Sequence, residues 1–179
     1  AFSAIQNNDK VGLLLFSDEI ELFIPPKKGK THVLRIIREL IEFEPKSKKT
    51  DLSFALRYLS NVMKKKAIVF ILSDFMDTGY DNALKIVGKK HDVTGIRVYD
   101  KFETELPKLG MVPMRDVENG NIILVNTNSK TVRRNYRANY LKTVDYFEDS
   151  FTKSGSGVIN TRIDESYVKK LLGYFKRRA

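Results

Sequence analysis

Three short apolar runs rich in branched side chains, Val11 to Phe16, Ala67 to Leu72 and Val93 to Tyr99, are separated by segments of helical periodicity. Runs of that length and composition predict strands buried on both faces of a parallel sheet. Between them, Val33, Ile36, Ile37 and Leu40 recur at helical spacing, and Leu52, Ala55, Leu56 and Leu59 repeat it, so each predicted helix has one apolar stripe. Ala83, Leu84 and Val87 predict a third, shorter helix closed at Gly88, where a residue without Cβ takes a left-handed cap at little cost. Strand, helix and strand in succession imply right-handed crossovers. The fold class is therefore α/β, an open, doubly wound, mostly parallel sheet in a Rossmann-like three-layer α/β/α arrangement.

Two antiparallel pieces interrupt the alternation. Ile20 to Ile24 follows the first strand closely and ends at Pro25 and Pro26, which predicts a hairpin partner at a sheet edge. Met111 to Val117 and Ile122 to Val125 flank Asn119 and Gly120, a pair suited to the positive φ of a tight turn, and predict an extra β-hairpin. Val132, Tyr136, Tyr140, Val144, Phe147 and Phe151 mark one face of a long helix that stops near Gly155 and Gly157. A short strand from Val158 to Arg162 and a final helix with Val168, Leu171, Leu172 and Phe175 on one side complete the chain. No repeat or low-complexity tract divides it, so 1–179 is expected to be one domain.

With no cysteine, neither a disulfide-stapled module nor a thiolate zinc site is open to this chain. The longest apolar runs fall far short of the roughly 18 residues a membrane-spanning helix needs, so no span is expected. The chain starts at Ala1 without a charged n-region ahead of an apolar stretch, which predicts no signal peptide, a truncated N-terminus and a cytoplasmic protein. A net charge of +10 invites a nucleic-acid or acidic partner. Lys130 to Ala179 holds twelve basic and five acidic residues, most of that excess. Solvation of the outer faces of two helices explains the same charges, as it does for Lys46, Lys48, Lys49 and Lys64 to Lys66, and no nucleic-acid reading motif is interleaved.

His32 and His91 have no ligand-spaced companions and read as surface residues beside helix ends. No Gly-rich phosphate loop follows a strand, and there is no nucleophile elbow. The ends of the predicted parallel strands are more informative. Ser17 and Asp18, Ser73 and Asp74, and Tyr99 and Asp100 line the carboxyl edge, where open α/β sheets bind ligands. Hard cations such as Mg²⁺ take oxygen ligands and keep several waters, so a hydroxyl from one loop and a carboxylate from another could hold one. The alternative is local: Thr50 or Asp51 caps the second helix, and Asp74 caps a turn.

The stretches Lys10 to Asp18, Thr50 to Leu56 and Ile68 to Phe75 resemble, in order and spacing, consecutive pieces of a von Willebrand factor A-like domain. Val98 to Pro107, with Gly110 and the Asp116 to Gly120 turn, resembles the bacterial family called domain of unknown function 58. The resemblance implies a metal-ion-dependent adhesion site in which Thr50 is the threonine and Asp74 the aspartate. The Asp-x-Ser-x-Ser loop of that site is not in the sequence; it should precede the helix whose tail is Ala1 to Asn8. Asp51-Leu-Ser53-Phe-Ala55 is no substitute, because its last position is alanine. The implied Mg²⁺ site is therefore expected to be weak or empty in these residues and complete in the intact protein.

The resemblance further implies a non-enzymatic interaction or adaptor module. Its members are commonly encoded beside MoxR-type AAA+ ATPases, and a partner's acidic side chain would complete the metal's coordination. The alternative is a Mg-dependent phosphoryl-transfer or nucleic-acid-processing enzyme that uses Asp74 and Asp77. The von Willebrand A topology also implies a central strand between those matched by Val11 to Phe16 and Ala67 to Leu72, and no segment of this sequence matches it. Three outcomes are open: a strand outside this sequence, direct pairing of the two flanking strands, or a strand from another chain.

Overall fold

The computed structural model describes residues 5–115 and 121–178. The expected Asn119-Gly120 turn and the start of the Ala1 to Asn8 helix lie outside them. The chain groups into two compact units, one of residues up to Ala67 together with Gly79–Lys90, the other of Ile68–Thr78 and the residues from His91 onward.

In the first unit, β1 (Val11–Phe16) runs antiparallel to β2 (Ile20–Lys27). The hairpin expected at Ile20 is present and extends through Pro25 and Pro26. Gly12 permits this, since a Cβ there would lie 2.8 Å from the Ile24 carbonyl oxygen and 3.0 Å from the Pro26 ring. Among the described residues β1 bonds only to β2, an antiparallel partner, where its apolar run predicted a strand of the parallel sheet. Helices α1 (Lys30–Glu42), α2 (Leu52–Val62) and α3 (Asp81–Lys90) follow. Each buries part of its predicted stripe: Val33 and Ile36, then Leu52, Ala55 and Leu56, then Ala83, Leu84 and Val87. α3 runs past Gly88 to Lys90, whose ammonium donates to the Ser60 carbonyl at 2.5 Å. That bond ties the last turn of α3 to α2, and the helix does not stop at its glycine.

The second unit is built on a parallel sheet in the order β3 (Ile68–Ser73), β4 (Asp92–Tyr99), β7 (Gly157–Arg162). Successive residues of the central strand face opposite sides. Gly95 lies beneath Phe147 and Phe151 of the long helix α5 (Lys130–Lys153), while Thr94 on the other face contacts Tyr174 of α6 (Tyr167–Lys176) at 3.1 Å. The sheet thus has a helix on each side, as a doubly wound α/β fold requires. The one-turn helix α4 (Lys101–Thr104) and the antiparallel pair β5 (Met111–Arg115) and β6 (Ile122–Asn126) precede α5.

Burial on both faces holds for β4 but not for β3, where Ile68 and Leu72 are 69% and 63% exposed. On that face β3 meets Phe175 through Phe70, edge to face at 6.0 Å, and α6 covers the β4–β7 side instead. A second departure is Arg97. Its place in an apolar run did not reveal a buried guanidinium, which donates to the Asn160 side chain and the Tyr140 hydroxyl, both at 2.8 Å, and lies 4.1 Å from the Tyr99 ring centre. Neutral acceptors and aromatic faces there offset part of the cost of burying a cation.

Candidate functional site

The carboxyl end of β3 turns sharply. Ser73 Oγ accepts the Phe75 N–H at 3.0 Å and donates to Asp74 Oδ1 at 3.3 Å, and Asp74 Oδ1 also accepts the Met76 N–H at 3.2 Å. These are the short side-chain-to-backbone bonds by which Ser and Asp shape turns. Phe75 takes a φ of +55°, a left-handed conformation that is an outlier for a bulky residue. Its ring is buried, stacked on Phe147 at 4.1 Å and edge-on to Phe151 at 5.3 Å. Core packing of that ring holds the strained turn and leaves the Asp74 carboxylate exposed at the sheet edge. Both bonds to Asp74 fall on Oδ1.

Thr50 belongs to the first unit, Asp74 to the second. Thr50 is exposed and immediately precedes Asp51, the N-cap of α2, whose carboxylate accepts the Phe54 N–H at 2.7 Å. Asp51, not Thr50, is therefore the helix cap. The Asp51 N–H donates to the Ser17 carbonyl at 3.0 Å, which fixes Thr50 beside the end of β1. Glu21 supports the same loop: its Oε1 accepts from Ser17 Oγ at 2.8 Å and from the Lys46 and Ser47 N–H groups at 3.0 and 3.4 Å. Those bonds, led by Ser17, hold the Glu21 carboxyl below its usual range. Asp18 is also lowered, first by hydrogen bonding from Ser47 and with help from the Lys49 charge. Glu21 was not legible as an anchor, because the loop it grips is 25 residues away.

The remaining rim residues have local roles. Asp100 caps α4 in a reciprocal box, accepting the Phe102 N–H at 2.8 Å while Glu103 accepts the Asp100 N–H at 3.0 Å. Asp77 Oδ1 accepts the Thr78 N–H at 2.7 Å. His32 Nε2 lies 2.8 Å from the Val11 carbonyl oxygen. His91 is 3% exposed, so it is a core residue and not the surface histidine its helix-end position predicted. The Thr50 hydroxyl and Asp74 carboxylate are hard oxygen donors and suit Mg²⁺ in kind. In number they fall short: among the described residues no group of three or more His, Cys, Asp or Glu could hold a metal ion. Nor is any described helix long and apolar enough to cross a membrane.

The chain resembles solved structures at low identity. BatB from Bacteroides thetaiotaomicron, a conserved hypothetical protein, superposes with a TM-score of 0.53 at 17% identity, covering 96% of this chain and 78% of that one. An aerotolerance-related membrane protein from Bacteroides fragilis gives 0.51 at 18% identity, with 95% and 80% covered. Likeness at that level shows a shared fold. An uncharacterised protein of Mycobacterium tuberculosis is 25% identical over 115 residues, which is 63% of this chain but only 36% of the relative's length. An uncharacterised protein of Mycobacterium avium is 22% identical over 162 residues, with 87% and 93% covered. The model of the family described as protein of unknown function DUF58 matches residues 1–145, and the chain belongs to that family.

Proposed function

We propose that the chain is a non-enzymatic interaction module of the von Willebrand A type, in which Thr50 and Asp74 help to hold Mg²⁺ and a partner's carboxylate completes the coordination. The partner is a MoxR-type AAA+ ATPase in the cytoplasm. The observation that carries this reading is the Asp74 turn: a strained, core-anchored Phe75 presents an exposed carboxylate at the end of a parallel strand. A carboxylate held in place before its ligand arrives loses little freedom on binding. The Ser17 and Glu21 bonds restrain the Thr50 loop in the same way. Bound there, the cation would supply a point of strong attraction for an acidic side chain. Its further oxygens would come from the Asp-x-Ser-x-Ser loop of the intact protein and from water.

The reading requires Thr50 and Asp74 to share one ion. Titration of Mn²⁺ into the intact protein, followed by paramagnetic broadening of backbone amide signals, tests this. Broadening should reach Lys49 to Asp51 and Ser73 to Met76 over the same concentration range and vanish in Asp74→Asn. Broadening of only one segment, or broadening that survives the substitution, would exclude a shared site.

A further inference from the structure

The β5–β6 ribbon exposes an apolar face without a covering element among the described residues. Its register pairs Met111 with Asn126, Pro113 with Leu124 and Arg115 with Ile122, so Met111, Pro113, Ile122 and Leu124 share one face with Arg115 and Asn126. Met111, Ile122 and Leu124 are 58%, 71% and 68% exposed. A two-stranded ribbon is only marginally stable alone, and a cluster of large exposed apolar side chains marks an interaction surface. The base of the ribbon is firmly held. Buried Thr127 accepts the Leu109 N–H at 2.8 Å through Oγ1, which also donates to the Gly110 carbonyl at 2.9 Å, and the Thr127 carbonyl accepts from Arg133 Nη1 at 2.6 Å. The ribbon is thereby fixed to the start of α5.

Charge selects the occupant. Residues 101–142 contain eight Lys and Arg against four Asp and Glu. Lys108, Arg115, Lys130 and Arg134 are exposed on the ribbon or beside its base. A second copy would set these cations against themselves. Single-stranded nucleic acid binds on stacking rings, and neither strand of the ribbon carries one. We infer that the ribbon docks a protein partner presenting an apolar helix face flanked by carboxylates. This surface is independent of Thr50 and Asp74.

The probe is a synthetic amphipathic helical peptide with leucine on one face and glutamate along both edges of that face, compared with its lysine counterpart. The glutamate peptide should bind with an affinity that falls as salt rises. Leu124→Glu and Ile122→Glu should each weaken it about tenfold or more, as expected at the centre of an interface, while the melting temperature stays unchanged. Lys130→Gln with Arg134→Gln should flatten the salt dependence and leave the fold intact. Equal binding of the lysine peptide, failure of both peptides to bind, or unchanged binding by Leu124→Glu would overturn the inference. So would association with phosphatidylglycerol vesicles, or concentration-dependent dimerisation by light scattering, if Leu124→Glu abolished either one.

Discussion

Gly95→Ala tests the coupling between core packing and the Asp74 turn. A Cβ at Gly95 would lie 2.6 and 2.9 Å from Phe151 ring carbons and 2.7 Å from Phe147, where ordinary carbon contacts are about 3.5–4.0 Å. Both rings are fully buried and have no solvent to retreat into. Forcing a methyl group into such a core costs about 1–3 kcal/mol. Removing glycine's freedom from the unfolded chain returns roughly 0.4–1 kcal/mol, which leaves a net loss of up to about 2.6 kcal/mol. At about 2–4 °C per kcal/mol for a chain of this size, the melt should fall by up to roughly 10 °C. Phe147 and Phe151 are also the rings that seat Phe75, so the Phe75 and Met76 amides should exchange faster with deuterium. Phe151→Leu added to Gly95→Ala should recover part of the loss by making room. A melt at or above the wild-type temperature, with unchanged exchange at Phe75, would refute the packing argument.

Other substitutions probe the rest of the frame. Gly157→Ala would drive a Cβ to 1.6 Å from the Tyr174 hydroxyl, which contacts Thr94 and accepts from Arg178; thermal denaturation should show a larger loss than for Gly95→Ala. Gly173→Ala meets nothing within 4 Å and lies inside α6, so it should stabilise by about 0.5–1 kcal/mol in urea unfolding. Glu21 has a carboxyl pKa below its usual 4.5 when folded, so its contribution is complete above that value and disappears as pH falls through the lower folded value. Acid titration of stability should therefore be shallower in Glu21→Gln, and an identical acid limb in the two proteins would exclude Glu21 as the anchor of the Lys46 to Thr50 loop.

Most of the secondary structure could be read directly from side-chain spacing. The long helix from Lys130 and the strands at Val11, Ile68, Asp92 and Gly157 were all anticipated within a residue or two. Coverage of their faces was not, because an apolar run looks the same whether helices pack on both sides, as for β4, or Ile68 and Leu72 stand exposed, as in β3. Pairing is also non-local: β1 matches the composition of a parallel strand yet, among the described residues, bonds only to the antiparallel β2. At the candidate site, Asp74 and Thr50 stood out through resemblance, and Asp51 through helix-capping chemistry. Phe75 could not be recognised, since a left-handed φ at phenylalanine arises from the stack on Phe147, 72 positions further along. Glu21 and buried Arg97 were hidden for the same reason, their partners being distant in the chain.

Capture of a MoxR-type AAA+ ATPase by the intact protein, measured in Mg²⁺ and again in EDTA, tests the interaction module most directly. The account predicts binding in Mg²⁺ that is lost in EDTA, in Asp74→Asn and in Thr50→Ala, with no turnover of phosphate esters or nucleic acid by the module itself. Capture that is indifferent to metal and to both substitutions would contradict the cation site, and Mg²⁺-dependent cleavage requiring Asp74 and Asp77 would show an enzyme instead.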